Sequence, residues 1–123
     1  MRIADKATKK SKHSQHKVGA VIVKGGNILS VGYNQLRPSN ELNTQTIHAE
    51  EHAVLALLKN RRLGELTGAD IYVTRRTRGG RVGNATPCPR CHKLLRAVGV
   101  RNCFATDDNG QTIRFRLDDD VIN

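Results

Sequence analysis

An α/β fold in three layers, with a single mixed sheet of about five strands flanked by helices and an antiparallel hairpin as its last two strands, follows from three features of the sequence. Helix-like and strand-like segments alternate along the 123 residues, and such alternation builds one sheet covered by helices. Two β-branched runs flank Lys24-Gly25-Gly26-Asn27, where glycine permits the positive φ of a tight hairpin turn. Only Asp107-Asp108-Asn109-Gly110 separate the last two strand-like runs, and a parallel connection needs a dozen residues or more.

Taken in order, Ile3, Ala4 and Ala7 stand at helical spacing among polar residues, which predicts a short amphipathic first helix ending near His16. Residues 18–23 and 28–33 form the first hairpin. After a polar loop holding Pro38, residues 48–59 carry Ala49, Ala53, Val54, Ala56, Leu57 and Leu58, good helix formers that predict a mostly buried helix. Residues 69–74 read as a third strand, and 75–85 as a basic, glycine-rich loop. Residues 87–98 start with proline, contain Leu94 and Leu95 and are followed by Gly99, the pattern of a third helix with a glycine cap. Residues 102–106 and 111–117 are the last two strands.

The length suits one compact domain, residues 1–117, that buries roughly two-thirds of its unfolded surface without disulfides. Residues 118–123, opening on Asp118, Asp119 and Asp120, read as an acidic, frayed tail. There is no internal repeat or low-complexity block. No apolar stretch approaches the ~18 residues of a membrane span, and the basic opening segment lacks an apolar core of a signal peptide, so a cytoplasmic location without membrane contact is expected. The formal charge of +10 is concentrated at Lys6, Lys9, Lys10, Lys12 and Lys17 and again at Arg75, Arg76, Arg78 and Arg81. That field attracts polyanions and phosphorylated small molecules; the competing interpretation is a solvated cationic surface kept for solubility. Charge does not choose between a nucleotide and a nucleic acid.

Three cysteines, two of them in the Cys88–Cys91 pair, point away from a disulfide framework and toward a reduced metal site. Two cysteines three apart on the first turn of a helix lie on neighbouring faces, where the helix N-terminus favours thiolate. Cys103 stands alone in a strand, which excludes a four-cysteine knuckle within one chain. An open site needs three protein ligands and leaves a fourth position to water; His48, starting the second helix, supplies the missing ligand. Glu50, two residues on, can then take a proton from that water and protonate a ring nitrogen and leaving ammonia. On a regular helix residues 48 and 50 are about 200° apart, so they converge only if His48 occupies the very start of the helix.

His48-Ala49-Glu50 with Pro87-Cys88-Pro89-Arg90-Cys91 resembles the H-x-E and P-C-x-x-C signature of the zinc-dependent cytidine and deoxycytidylate deaminase superfamily. The resemblance extends over most of the chain: residues 17–23 followed by Gly32-Tyr33-Asn34 are similar to the opening hairpin of these enzymes, and residues 68–74 to the strand before the cysteine motif. It implies a cytidine deaminase-like fold, one zinc ion per chain held by His48, Cys88 and Cys91, and Glu50 as catalytic proton shuttle. It further implies that Asn34 bonds the substrate sugar at the pocket rim, that the Ala49 amide meets the base carbonyl, and that the protein forms a homo-oligomer. Two departures stand out. Eleven residues of RRTRGGRVGNA and then Thr86 intervene between the third strand and the cysteine motif, which makes Arg75, Arg76, Arg78 and Arg81 a basic lip for phosphate or nucleic acid. The antiparallel end resembles cytidine deaminases and bacterial deaminase toxins more than deoxycytidylate, tRNA-adenosine or APOBEC-type enzymes.

These features predict hydrolytic deamination of cytosine to uracil, with a free cytidine or deoxycytidine nucleotide favoured because stacking aromatics are scarce. The alternatives are a cytosine deaminase acting on single-stranded or other nucleic acid, deamination of adenosine or guanine, and a zinc-stabilised nucleic-acid-binding module without catalysis. His52 follows His48 by four residues, but Glu does not follow His48 directly, so the HExxH motif of metalloproteases is absent. His13, His16 and His92 are expected at the surface or as caps, Cys103 in the core, and Tyr33 and Tyr72 in strand packing.

Overall fold

The structure, a computed structural model, describes residues 1–11, 16–37 and 45–117. The expectations for Lys12 and His13, for the loop holding Pro38 and for residues 118–123 fall outside the described residues. The elements are α1 (Arg2–Thr8), β1 (His16–Lys24), β2 (Asn27–Tyr33), β3 (Gln35–Arg37), β4 (Gln45–Ile47) and α2 (Ala49–Lys59). A 3-10 turn (Leu63–Leu66) leads to β5 (Asp70–Thr77), β6 (Val82–Gly83), α3 (Pro89–Ala97), β7 (Asn102–Thr106) and β8 (Thr112–Arg116).

One mixed sheet runs β2-β1-β5-β7-β8, with β6 added to the end of β5. β1 is antiparallel to both β2 and β5, β5 is parallel to β7, and β7 and β8 form the antiparallel hairpin expected from the short turn. Period-2 alternation assigns the faces. Ala20, Ile22, Ile71, Val73, Cys103 and Ala105 turn to one side and pack with Ala53, Val54 and Leu57 of α2 and Leu95 of α3. The other side receives α1. Both helix contacts need a glycine: a Cβ on Gly19 would lie 2.0 Å from the Ala4 carbonyl oxygen of α1, and one on Gly32 2.4 Å from the Ala49 carbonyl oxygen of α2.

The five long strands and three helices match the sequence expectation; the boundaries differ where hydrogen bonding overrides local pattern. α1 ends at Thr8 rather than near His16. There the Thr8 hydroxyl bonds the Asp5 carbonyl, and the amides of Lys9, Lys10 and Ser11 bond three residues back, closing the helix in tight turns. His16 instead opens β1 opposite Thr77. The third strand runs to Thr77, not Thr74, and Arg75 and Arg76 pair back with Gly83 and Val82. What reads as a loop is therefore a β5–β6 hairpin, its turn closed by Thr77 N–H to Arg81 O and Gly80 N–H to Thr77 O, both at 2.8 Å. β3 and β4 form a small separate ribbon.

Candidate active site

Two helix starts meet at the site. His48 is the residue before α2, with extended backbone (φ −73°, ψ 154°), and its amide donates to Glu51 Oε1 at 3.0 Å. Cys88 holds the same position before α3 (φ −67°, ψ 165°), with Pro89 at the first helical residue and Gly99 at φ +93° beyond the helix end. Proline there loses no intrahelical bond, and glycine accepts the left-handed conformation that stops the helix. Because His48 precedes the helix, its ring and the Glu50 side chain turn toward one cavity, satisfying the condition that helical geometry imposes.

His48 Nδ1 lies 3.2 Å from Cys91 Sγ and 3.7 Å from Cys88 Sγ, and all three donor atoms fall within 4.8 Å of one another. Tetrahedral zinc with ordinary Zn–N and Zn–S bonds spaces such atoms by about 3.6 Å. One imidazole and two thiols at that spacing fit one zinc ion. Burial pushes the Cys91 thiol well above its ordinary range, and the Glu50 and Cys88 charges add to the effect. A cation bound by the three donors would favour the thiolate there.

Glu50 is 5% exposed. It lines a cavity of about 350 Å³ together with His48, Cys88, His16, Val18, Arg75, Asn84, Ala85 and Thr86. Burial, reinforced by the Glu51 charge and opposed by a backbone hydrogen bond, raises its carboxyl to about 7. A carboxyl held there exchanges protons readily at neutral pH. Ala49 is fully buried in the first turn of α2.

The remaining predicted residues separate. Asn34 is buried and spends its side chain on β1: Oδ1 accepts from the Val18 amide at 2.9 Å and Nδ2 donates to the His16 carbonyl at 2.8 Å. It thus fixes two pocket-lining residues and is not itself among those lining the pocket. Arg75 reaches the pocket, lies against the His16 ring and donates to the Asn84 carbonyl at 3.4 Å. Arg76 points the other way and gives Nε and Nη2 to Asp5 at 2.6 and 2.8 Å. Arg78 and Arg81 are exposed. Cys103 is buried, its thiol pushed up to about 12, as expected for a core residue.

Sequence reasoning missed four contributors. His16, read as a surface residue, is exposed yet lines the pocket, because β1 continues to it; Asn84 belongs to the segment read as loop, and Thr86 follows it. His52 is the fourth. Its Nδ1 contacts the Tyr33 amide and Gln35 Nε2, both at 3.1 Å, and its ring meets Tyr33 edge-on, so it ties α2 to the segment carrying Asn34. The His48–His52 spacing invited a metal reading; the structure gives His52 a different task.

Comparison with known proteins decides the family. The family described as the cytidine and deoxycytidylate deaminase zinc-binding region matches residues 1–106. The chain belongs to this family. A protein of Aliivibrio fischeri described as an uncharacterized deaminase in the luxG 3′ region is 31% identical over 107 residues, covering 79% of this chain and 63% of its own length; the chain thus spans less than two-thirds of that relative. Cytidine deaminase from Burkholderia pseudomallei superposes with a TM-score of 0.71 at 26% identity, covering 96% of this chain and 90% of that one. The dCMP deaminase of cyanophage S-TIM5 shares the fold at a TM-score of 0.63 and 24% identity, over 87% of this chain and 79% of that one. Among the described residues no helix is long and apolar enough to cross a membrane.

Proposed function

We propose that this chain is a zinc-dependent hydrolytic deaminase that converts a cytosine base to uracil on a free cytidine or deoxycytidine nucleotide. The carrying observation is the buried carboxyl of Glu50 in the same small cavity as His48 and Cys88. Zn²⁺ held by His48, Cys88 and Cys91 would supply Lewis-acid activation of a water at neutral pH. Glu50 takes a proton from the attacking water and delivers it to the ring nitrogen, then passes the second to the amine. The C4–O bond forms, the C4–N bond breaks and ammonia leaves. The Ala49 amide meets the base carbonyl, Asn34 acts on the sugar side by holding His16 and Val18, and Arg75 receives the phosphate.

The charge of +10 and the arginine hairpin support a second reading, a cytosine base within nucleic acid. Two exposed leucines of α2, Leu55 and Leu58, support a homo-oligomer that buries them, and reduced thiol ligands support a cytoplasmic location. The experiment is turnover by zinc-loaded protein of dCMP, CMP, cytidine and a cytosine-containing single strand, at low and moderate salt. Turnover of a mononucleotide upholds the first reading. Turnover of the oligonucleotide alone, falling steeply with salt, replaces it with the second.

A further inference from the structure

A second cavity, about 850 Å³, lies between the β5–β6 hairpin and the turn joining β7 to β8. Arg75 and Asn84 line both cavities, so the second opens directly beside the first. A base and sugar suffice to occupy the smaller one. On the proposed function, in which Arg75 receives the phosphate of a nucleoside monophosphate, the larger space continues past that phosphate.

Strand alternation decides which arginines serve this space. Arg75 and Thr77 share the face of β5 that carries Ile71 and Val73, and both line the cavity; Arg81 lines it from across the hairpin turn. Arg76 faces α1 and is committed to Asp5, and Arg78 lines neither cavity. Among the described residues Asp108 is the one carboxylate in the lining, against two guanidinium groups. Arg75 Nε is buried with no hydrogen-bond partner among the described residues, and the terminal nitrogens lie against the His16 ring and the Asn84 carbonyl at the border of the two cavities. The walls are fixed in advance. Thr106 Oγ1 donates to the Gly83 carbonyl at 2.6 Å and the Ala85 amide to Thr106 O at 2.8 Å, while Asp107 Oδ1 accepts from the Asn109 and Gln111 amides at 2.9 Å.

We infer that this cavity is a phosphate-binding subsite, held by Arg81 together with Arg75, for a substrate that carries phosphate beyond the first one on its nucleoside. The inference rests on the nucleotide reading above. The shared chemistry has two sources, the phosphate chain of a nucleoside diphosphate or triphosphate and the next phosphodiester of an oligonucleotide. Planar guanidinium groups bind either in paired, charge-assisted hydrogen bonds.

The test is calorimetric binding to the zinc-loaded protein of the deaminated, unreactive ligands dUMP, dUDP and dUTP and of a uridine dinucleotide with a 5′ phosphate. At least one extended ligand is expected to bind about tenfold tighter than dUMP. Arg81→Ala removes that gain and leaves dUMP affinity within about twofold. Arg78→Ala, an equal loss of charge outside the cavity, keeps the gain. A gain with dUDP and dUTP identifies a phosphate chain; a gain with the dinucleotide alone identifies a nucleic-acid backbone. No gain with any of them, or equal loss in Arg78→Ala and Arg81→Ala, overturns the subsite while leaving cytosine deamination intact. A gain without ammonia release from any cytosine nucleotide leaves the subsite standing and refutes the deaminase reading.

Discussion

Gly32→Ala tests how the fold positions the site. Gly32 lies in β2 under the first turns of α2, and a Cβ there would stand 2.4 Å from the Ala49 carbonyl oxygen, 2.6 Å from the Ala53 amide nitrogen and 3.0 Å from Ala53 Cβ. Comfortable separations begin near 3.5 Å, so the start of α2 must retreat by roughly 1 Å. Two of the three atoms are backbone and cannot rotate away, which places the cost toward the upper part of the usual overpacking range, about 3 kcal/mol. Melting in chelator, where metal does not contribute, should fall by on the order of 10 °C for a chain of this size. The same displacement carries His48 away from Cys88 and Cys91 and carries Glu50 with it. Zinc affinity, measured by competition with a chromophoric chelator, should fall clearly, and turnover by roughly a hundredfold. Gly19→Ala is the comparison: its Cβ would meet the Ala4 carbonyl oxygen at 2.0 Å and the Thr8 amide nitrogen at 2.8 Å, displacing α1 instead. It should destabilise at least as much while zinc affinity and turnover of the folded protein stay within about twofold. Equal loss of zinc affinity in both variants refutes the reasoning that α2, and not α1, positions His48 and Glu50.

His48→Ala and Cys88→Ala should each lose bound zinc, read by metal analysis; at a thousandfold excess over Kd, binding contributes about 4 kcal/mol to the native state, so Tm should fall by more than 10 °C. Zinc stoichiometry unchanged in both contradicts the ligand set. Arg76, whose guanidinium bonds the Asp5 carboxyl, holds that carboxyl below its ordinary value. The resulting stability is present above the unfolded-state value of 3.8 and is lost as pH falls through the lower folded one. Asp5→Asn should therefore flatten the acid limb of Tm against pH and leave the neutral region's slope unchanged; an unaltered acid limb counts against the clasp.

The zinc motif was legible because its chemistry is local: two cysteines at a helix start, a histidine at another, and a glutamate two residues on. The five long strands were legible for a similar reason, since runs such as residues 18–23 carry their own β-branched pattern. β5 beyond Thr74 carries no such pattern. Arg75, Arg76 and Thr77 are held extended by pairing with Val18, Lys17 and His16, residues nearly sixty positions earlier. β3 and β4 have three residues each, too few for any period to appear. The division of labour among the arginines was equally hidden. Arg76 is taken by Asp5, 71 residues away, and only the strand's alternation, once its true length is known, separates it from Arg75. Asn34 was singled out by resemblance as a sugar-binding residue, whereas its bonds to Val18 and His16 of β1 could be seen only in three dimensions.

In the proposed reaction Glu50 moves the protons of a cytosine deamination at a zinc site built by His48, Cys88 and Cys91. Its most direct test is ammonia release from dCMP at neutral pH by zinc-loaded wild type and Glu50→Gln, with zinc content and Tm measured on the same samples. One zinc and closely similar melting are expected in both proteins, with turnover in the variant reduced by roughly a thousandfold. A variant that keeps the wild-type rate, or a wild type that releases no ammonia from dCMP or any other cytosine substrate, contradicts it.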